Sequence, residues 1–379
     1  MHPENERVAR LQQLSTRIAF FIAGAGIAAW APLVPFTQSR AHLDERMLGL
    51  LLLCLGAGSI IAMPLAGALT ARFGCRRMAI TSSLLVCLGL PPLAAASAVP
   101  VLAAALFVFG AGLGSLDCVM NIQAIIVERN SRRPMMSGFH GLFSVGGIAG
   151  AGAVSALLSA GASPLAATLC IVAVIAAALA TAAPHFLSER AESSQPGFAM
   201  PHGIVLLTGI LCCIVFLAEG SILDWSAVFL TATRNMDPAS AGLGYAAFAT
   251  TMTVGRLTGD AIVRRLGGRR TIALGGLCAA TGLAVAASVP VWQVDLAGYA
   301  LVGAGCSNVV PVLYSAVGRQ DAVPEHAAVS TITTLGYAGI LIGPAAIGFV
   351  AHPTSLSIAF LMIATLLLAV AASARILKA

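Results

Sequence analysis

Apolar stretches long enough to cross a bilayer recur along the whole chain, separated by short breaks of charged residues or of Pro, Gly and Ser. Placing a span wherever about 20 apolar residues run together predicts helices over 17–38, 47–70, 78–97, 100–126, 136–160 and 164–186. One long polar break follows, 187–203 (LSERAESSQPGFAMPHG). Six further helices are predicted over 204–232, 240–263, 271–289, 292–317, 326–350 and 354–376. The runs are rich in Ala, Leu and Gly and lack the alternation of barrel strands, so helices, which satisfy their own backbone, are expected. Small residues such as Gly56, Ala57, Gly58, Gly146, Gly147, Gly150 and Gly152 let such helices approach closely in lipid. The predicted fold class is an all-α polytopic membrane protein of twelve transmembrane helices. Its expected domains are an N-terminal six-helix bundle (1–186), a cytoplasmic linker (187–203) and a C-terminal six-helix bundle (204–379).

Composition turns the lipid bilayer into the expected surroundings. Of 379 residues 58% are hydrophobic and 9% charged, where soluble domains carry about a quarter charged, and the mean hydropathy is +0.93. The net charge of +6 is spread as small clusters between spans rather than as one basic stripe, so it reads as a topology signal and not as a nucleic-acid surface. With the N-terminus inside, the inner loops collect Arg7, Arg10, Arg17, Arg72, Arg76, Arg77, Arg129, Arg132, Arg133, Arg190, Arg264, Arg265, Arg269, Arg270, Arg319, Arg375 and Lys378. The outer loops collect only Arg40, Arg46 and Arg234. By the positive-inside rule both termini are then cytoplasmic, and a multi-pass place in a bacterial inner membrane is expected. The first run, Ile18 to Gln38, is too long for a signal-peptide core.

The nine cysteines form no CxxC pair and mostly lie inside apolar runs, so they read as small core residues. No metal-ligand cluster, nucleophile motif or phosphate-cradling glycine loop appears, so neither an enzyme nor a cofactor is expected. A monomer is the expectation.

The halves repeat. Arg72, Gly74, Arg76 and Arg77 recur as Arg265, Gly267, Arg269 and Arg270, an offset of 265 − 72 = 193. The same offset carries Gly110 and Gly112 onto Gly303 and Gly305, and Gly146 and Gly150 onto Gly339 and Gly343. Parallel six-helix repeats of this kind rock against each other around a midplane site.

With these residues in place, the chain resembles the major facilitator superfamily over essentially its full length. Gly67-Ala-Leu-Thr-Ala-Arg72-Phe-Gly74-Cys-Arg76-Arg77 is similar to that family's G-x-x-x-D-R-x-G-R-R signature, with Ala71 at the acidic position. In the second copy that position is Arg264, and Asp260 stands one turn earlier. Gly112-Leu-Gly114-Ser-Leu-Asp117-Cys-Val-Met-Asn121 resembles the G-L-G-x-L-E-x-x-x-N of the proton-coupled fucose permease branch. That resemblance implies a role for Asp117 in proton coupling; the branch's first-helix carboxylate has no counterpart here.

Asp117 and Asn121 are four apart and share a helix face. An ionised carboxylate at the bilayer centre costs roughly 2.5 to 3.5 kcal/mol on insertion scales, so Asp117 must pair, reach a wet cavity or stay protonated. A coupling or substrate role stands against a structural helix-to-helix hydrogen bond. Glu219 lies about 15 residues into the seventh helix, where it could hold a proton, a substrate hydroxyl or a neighbouring helix. Asp224 and Trp225, further outward, read as structural. His140 could relay protons, contact a ligand or simply pack. Arg256 and Asp260, spaced i,i+4, read as a self-neutralising part of a cytoplasmic latch. Arg72, Arg76, Arg265 and Arg269 read as topology and gating charges. Trp30, Gln123, Asn308, Tyr314 and Tyr337 remain as possible cavity-lining groups, Trp30 either stacking on a sugar face or sitting at an interface. Gly343-Pro344 needs only a kink as its explanation.

The leading functional expectation is proton-linked symport of a polar or sugar-like solute. Proton-driven efflux of a drug or metabolite is the runner-up, because the same fold and buried acids serve both. A non-transporting membrane sensor comes third.

Overall fold

The computed structural model describes residues 3–188, 203–237, 240–320 and 323–376. Arg190, Lys378 and linker positions 189–202 lie outside the described residues, as do the side chains of Arg46 and Pro344. Twelve membrane-length helices and no strand are present among the described residues. They are α1 (Glu6–Arg40), α2 (Glu45–Phe73), α3 (Cys75–Ala95), α4 (Val99–Ser131), α5 (Met136–Ser159) and α6 (Pro164–His185). The second set is α7 (Gly203–Arg234), α8 (Leu243–Leu266), α9 (Gly268–Ser288), α10 (Trp292–Val317), α11 (Glu325–Ala351) and α12 (Leu356–Ser373). Eleven are long and apolar enough to cross a membrane. The other, α8, has the length, but Arg256, Asp260, Arg264 and Arg265 dilute its apolar content.

Two spans are interrupted. In α1 a 3-10 turn covers Ala31–Leu33, with Pro32 inside it and Pro35 soon after, and neither supplies a backbone N–H to the helical ladder. In α10 the helix stops at Cys306 and resumes at Val309, so Ser307 and Asn308 sit in the break and Pro311 follows it.

The repeat seen in sequence is a repeat of contacts. The signature loop after α2 is a single residue, Gly74, with φ +84°, and its counterpart between α8 and α9 is Gly267, with φ +78°. Each closes the preceding helix, Gly74 N donating to Thr70 O at 2.8 Å and Gly267 N to Val263 O at 2.8 Å. Only glycine takes that left-handed φ without Cβ strain. At the helix crossings a Cβ on Gly110 would meet Leu55 O, and one on Gly303 would meet Phe248 O. The partners are themselves 248 − 55 = 193 apart, so α4 lies on α2 as α10 lies on α8.

Two of the three arginines assigned to outer loops, Arg40 and Arg234, cap helix ends. Arg40 donates to Ala96 O at 3.0 Å and Leu93 O at 2.9 Å. Arg234 donates to Ala286 O at 3.0 Å and Val289 O at 3.1 Å. These carbonyls correspond at 286 − 93 = 193 and 289 − 96 = 193. They close the last turns of α3 and α9, whose final C=O groups have no intrahelical donor, and a cation there also suits the helix dipole. Arg234 differs in having an acid as well, Asp295 at 2.9 Å, with the two side chains 8% and 0% exposed. The acid was not singled out in the sequence, and position 102, 193 earlier, is Leu102.

By contact clustering the chain forms two units. The first draws its described residues from Met1–Arg132, Leu142–Ala199 and Pro324–Ser330; the second draws them from Arg133–Gly141, Met200–Val323 and Thr331–Ala379. The first turn of α5 therefore packs within the second unit, and the first turn of α11 within the first.

Candidate functional site

In the first unit, Asp117 stands roughly midway along α4 and is partly exposed. Asn121, one turn on, is fully buried, and its Nδ2 donates to the Asp117 main-chain O at 2.9 Å and lies 3.5 Å from Asp117 Oδ1. No cation pairs with Asp117 among the described residues. Asn121 Oδ1 is buried without a hydrogen-bond partner. So is the indole Nε1 of Trp30, a residue 6% exposed at the entry to the α1 interruption. Gln123 is occupied structurally: it donates to Thr16 Oγ1 at 2.9 Å and accepts from Leu187 N at 3.2 Å.

In the second unit, Glu219 lies midway along α7 and pairs with Arg256 of α8 at 3.5 Å, with side chains 17% and 9% exposed. Its Oε1 is buried without a hydrogen-bond partner. Arg256, spaced i,i+4 from Asp260 on α8, thus reaches a neighbouring helix. Asp260 Oδ1 accepts the main-chain N–H of Gly138, in the first turn of α5, at 3.0 Å. Asn308 sits in the α10 break and donates to Gly255 O at 3.1 Å and Ser307 Oγ at 2.9 Å. That fastens the broken segment to α8. The His140 ring lies 5.8 Å from the Tyr314 ring, and the Tyr314 hydroxyl shares a 2.7 Å hydrogen bond with Thr333. Tyr337 is partly exposed and stands edge-on to Phe216 at 6.5 Å. Asp224 is exposed.

Of the gating candidates, Arg72, Arg76, Arg265 and Arg269 are all exposed, and the Arg72 guanidinium lies 5.2 Å over the Phe73 ring. Sequence reasoning missed Gly138 and the contacts of the first two turns of α11. There Glu325 pairs with Arg129 at 2.7 Å and Ser330 Oγ donates to Met63 O at 3.0 Å. The repeat held a signal for the second contact: Ser330 and Ser137, adjacent to Gly138, are 330 − 137 = 193 apart.

Against known proteins, the family model described as the Major Facilitator Superfamily matches residues 17–230. The chain belongs to the major facilitator superfamily. Among its relatives in that superfamily is an uncharacterized MFS-type transporter of Yersinia pestis, 54% identical over 365 residues, covering 96% of this chain and 95% of that protein. The membrane protein MosC of Rhizobium meliloti is 32% identical over 347 residues, covering 91% of this chain and 84% of that protein. Among solved major facilitator structures, a variant of the Escherichia coli fucose:proton symporter FucP superposes with TM-score 0.79 at 17% identity, covering 96% of this chain and 98% of that one. The human organic anion transporter MFSD10 superposes with TM-score 0.70 at 16% identity, over 99% and 100%. At such identities the superpositions show the major facilitator fold. A transporter, not a catalytic family, is what the membership indicates, and a multi-pass membrane protein is what the helices make of it.

Proposed function

We propose that the protein carries a small polar solute across the membrane by alternating access, in symport with protons, and that Asp117 takes up the coupling proton. The observation carrying this reading is a difference among membrane-embedded acids. Glu219 and Asp295 each have an arginine partner at 3.5 Å and 2.9 Å, while Asp117, mid-helix in α4 and only partly exposed, has none among the described residues; Asp224, also without one, is exposed. A carboxyl without a counter-ion is tolerated in hydrocarbon only when it holds a proton or meets water, and alternation between those two conditions is what coupling requires. The fucose:proton symporter that shares the fold supports the same direction.

In this reading Glu219, with its bare Oε1, accepts a hydrogen bond from the solute, Arg256 keeps Glu219 in charge balance, and Asn121 and Trp30 offer an acceptor and a donor. His140, Asn308 and Tyr337 line or brace the path. Asp260 and the exposed Arg72, Arg76, Arg265 and Arg269 belong to the gating machinery on the cytoplasmic face, where both termini also lie, in a bacterial inner membrane. The carrier works as a monomer on a six-plus-six helix plan divided at 187–203.

The test is reconstitution into proteoliposomes with a solute chosen by thermal-shift screening against sugars, organic acids and organic cations. Acid outside drives accumulation in the wild type. Asp117→Asn exchanges solute down its gradient but no longer accumulates it. Accumulation by the variant at the wild-type level, or accumulation only with the acid inside, overturns the symport reading.

A further inference from the structure

We infer that the corner between α2 and α3 is a binding site for an anionic phospholipid, separate from the solute path. A cavity of about 360 Å3 opens there, lined by Phe73, Arg76, Arg77, Ile80 and Ser188. Arg76 and Arg77 are exposed, and among the described residues neither guanidinium has a hydrogen bond or ion pair. Four other arginines are engaged: Arg129 by Glu325, Arg234 by Asp295, Arg256 by Glu219 and Arg40 by two carbonyls. Two guanidinium groups without a partner among the described residues, beside the N-terminus of α3, a 21-residue helix, make a cavity that suits a phosphate.

The rest of the helix says which phosphate. Ile80 on the cavity wall is followed at four-residue intervals by Leu84 and Leu88, 47% and 67% exposed. Residues spaced i, i+4, i+8 share one helix face, so this apolar track leaves the cavity and runs about 12 Å along α3. A headgroup held by Arg76 and Arg77 lays its acyl chains on Leu84 and Leu88. A free phosphate uses the first feature and leaves the second unexplained. The site lies on the face that the basic-loop count assigns to the cytoplasm, where anionic lipid and juxtamembrane arginines attract each other.

Purified protein equilibrated in mixed micelles with phosphatidylglycerol or phosphatidylcholine, and examined by native mass spectrometry, tests this. The wild type retains phosphatidylglycerol in preference to phosphatidylcholine. The double variant Arg76→Gln, Arg77→Gln loses that preference, binding phosphatidylglycerol on the order of thirty-fold more weakly, at about fivefold per basic residue. Arg269→Gln with Arg270→Gln removes the same charge at the repeat-related corner and leaves retention at the wild-type level. Leu84→Ser with Leu88→Ser keeps both arginines, guards against a misfolded charge variant, and also weakens retention. Equal binding of the two lipids by the wild type overturns the inference, as does undiminished binding by the Arg76, Arg77 variant. Displacement of the lipid by millimolar inorganic phosphate, with no effect of the leucine changes, overturns the lipid assignment and marks a phosphate site.

Discussion

Replacing Asp295 with Asn tests the view that buried charge, and not loop charge, fixes the end of α7. Arg234 contacts four groups: Asp295 Oδ2 at 2.9 Å, the carbonyls of Ala286 and Val289, and the Phe229 ring, 4.7 Å from the guanidinium carbon. Its side chain is 8% exposed and that of Asp295 is 0% exposed. Asp295→Asn keeps the volume and deletes the counter-charge, leaving a largely buried cation without its acid. Breaking a buried pair by removing one partner costs about 3 to 5 kcal/mol. Spread over a six-helix half, that corresponds to a fall in unfolding temperature of about 10 °C. Thermal unfolding in detergent, followed by tryptophan fluorescence and size-exclusion chromatography, reads the shift. Asp295→Leu with Arg234→Met removes both charges and places leucine where the first repeat carries Leu102, so it recovers most of the loss. A fall of less than 2 °C in Asp295→Asn, or a double variant as unstable as the single one, refutes the reasoning.

Glu219→Gln weakens solute binding by about ten- to a hundred-fold, the equivalent of one charged hydrogen bond, and leaves the pH-gradient dependence of the remaining uptake intact; transport KM across imposed gradients checks both. Asp260→Ala deletes the carboxylate that accepts Gly138 N, a bond worth about 1.5 to 3 kcal/mol, so thiol labelling at Ser137→Cys speeds up by at least about tenfold. Gly110→Ala and Gly303→Ala each drive a methyl group into a carbonyl of the crossing helix and cost about 1 to 3 kcal/mol. Gly152→Ala, with open space at its Cβ, is neutral or stabilising in the same unfolding assay.

The sequence alone carried the helix count, the six-plus-six plan and the membership in a carrier family, because each rests on short-range or periodic information. Hydrophobic length marks a span without reference to its neighbours, and a glycine recurring at offset 193 marks a helix crossing wherever its partner happens to be. Asp117 and Asn121 were legible as a pair for the same reason, being one helical turn apart. The partners of the other charges were not. Arg256 meets Glu219 across 37 residues, Arg234 meets Asp295 across 61 and Asp260 meets Gly138 across 122. Arg40 and Arg234 looked like loop charges because helix ends and loops have the same composition, and only packing shows that a guanidinium has turned back onto orphaned carbonyls. Which acids keep a counter-ion follows from those long-range pairings, so hydropathy placed the carboxyls in apolar runs while tertiary structure alone decided which of them are paired.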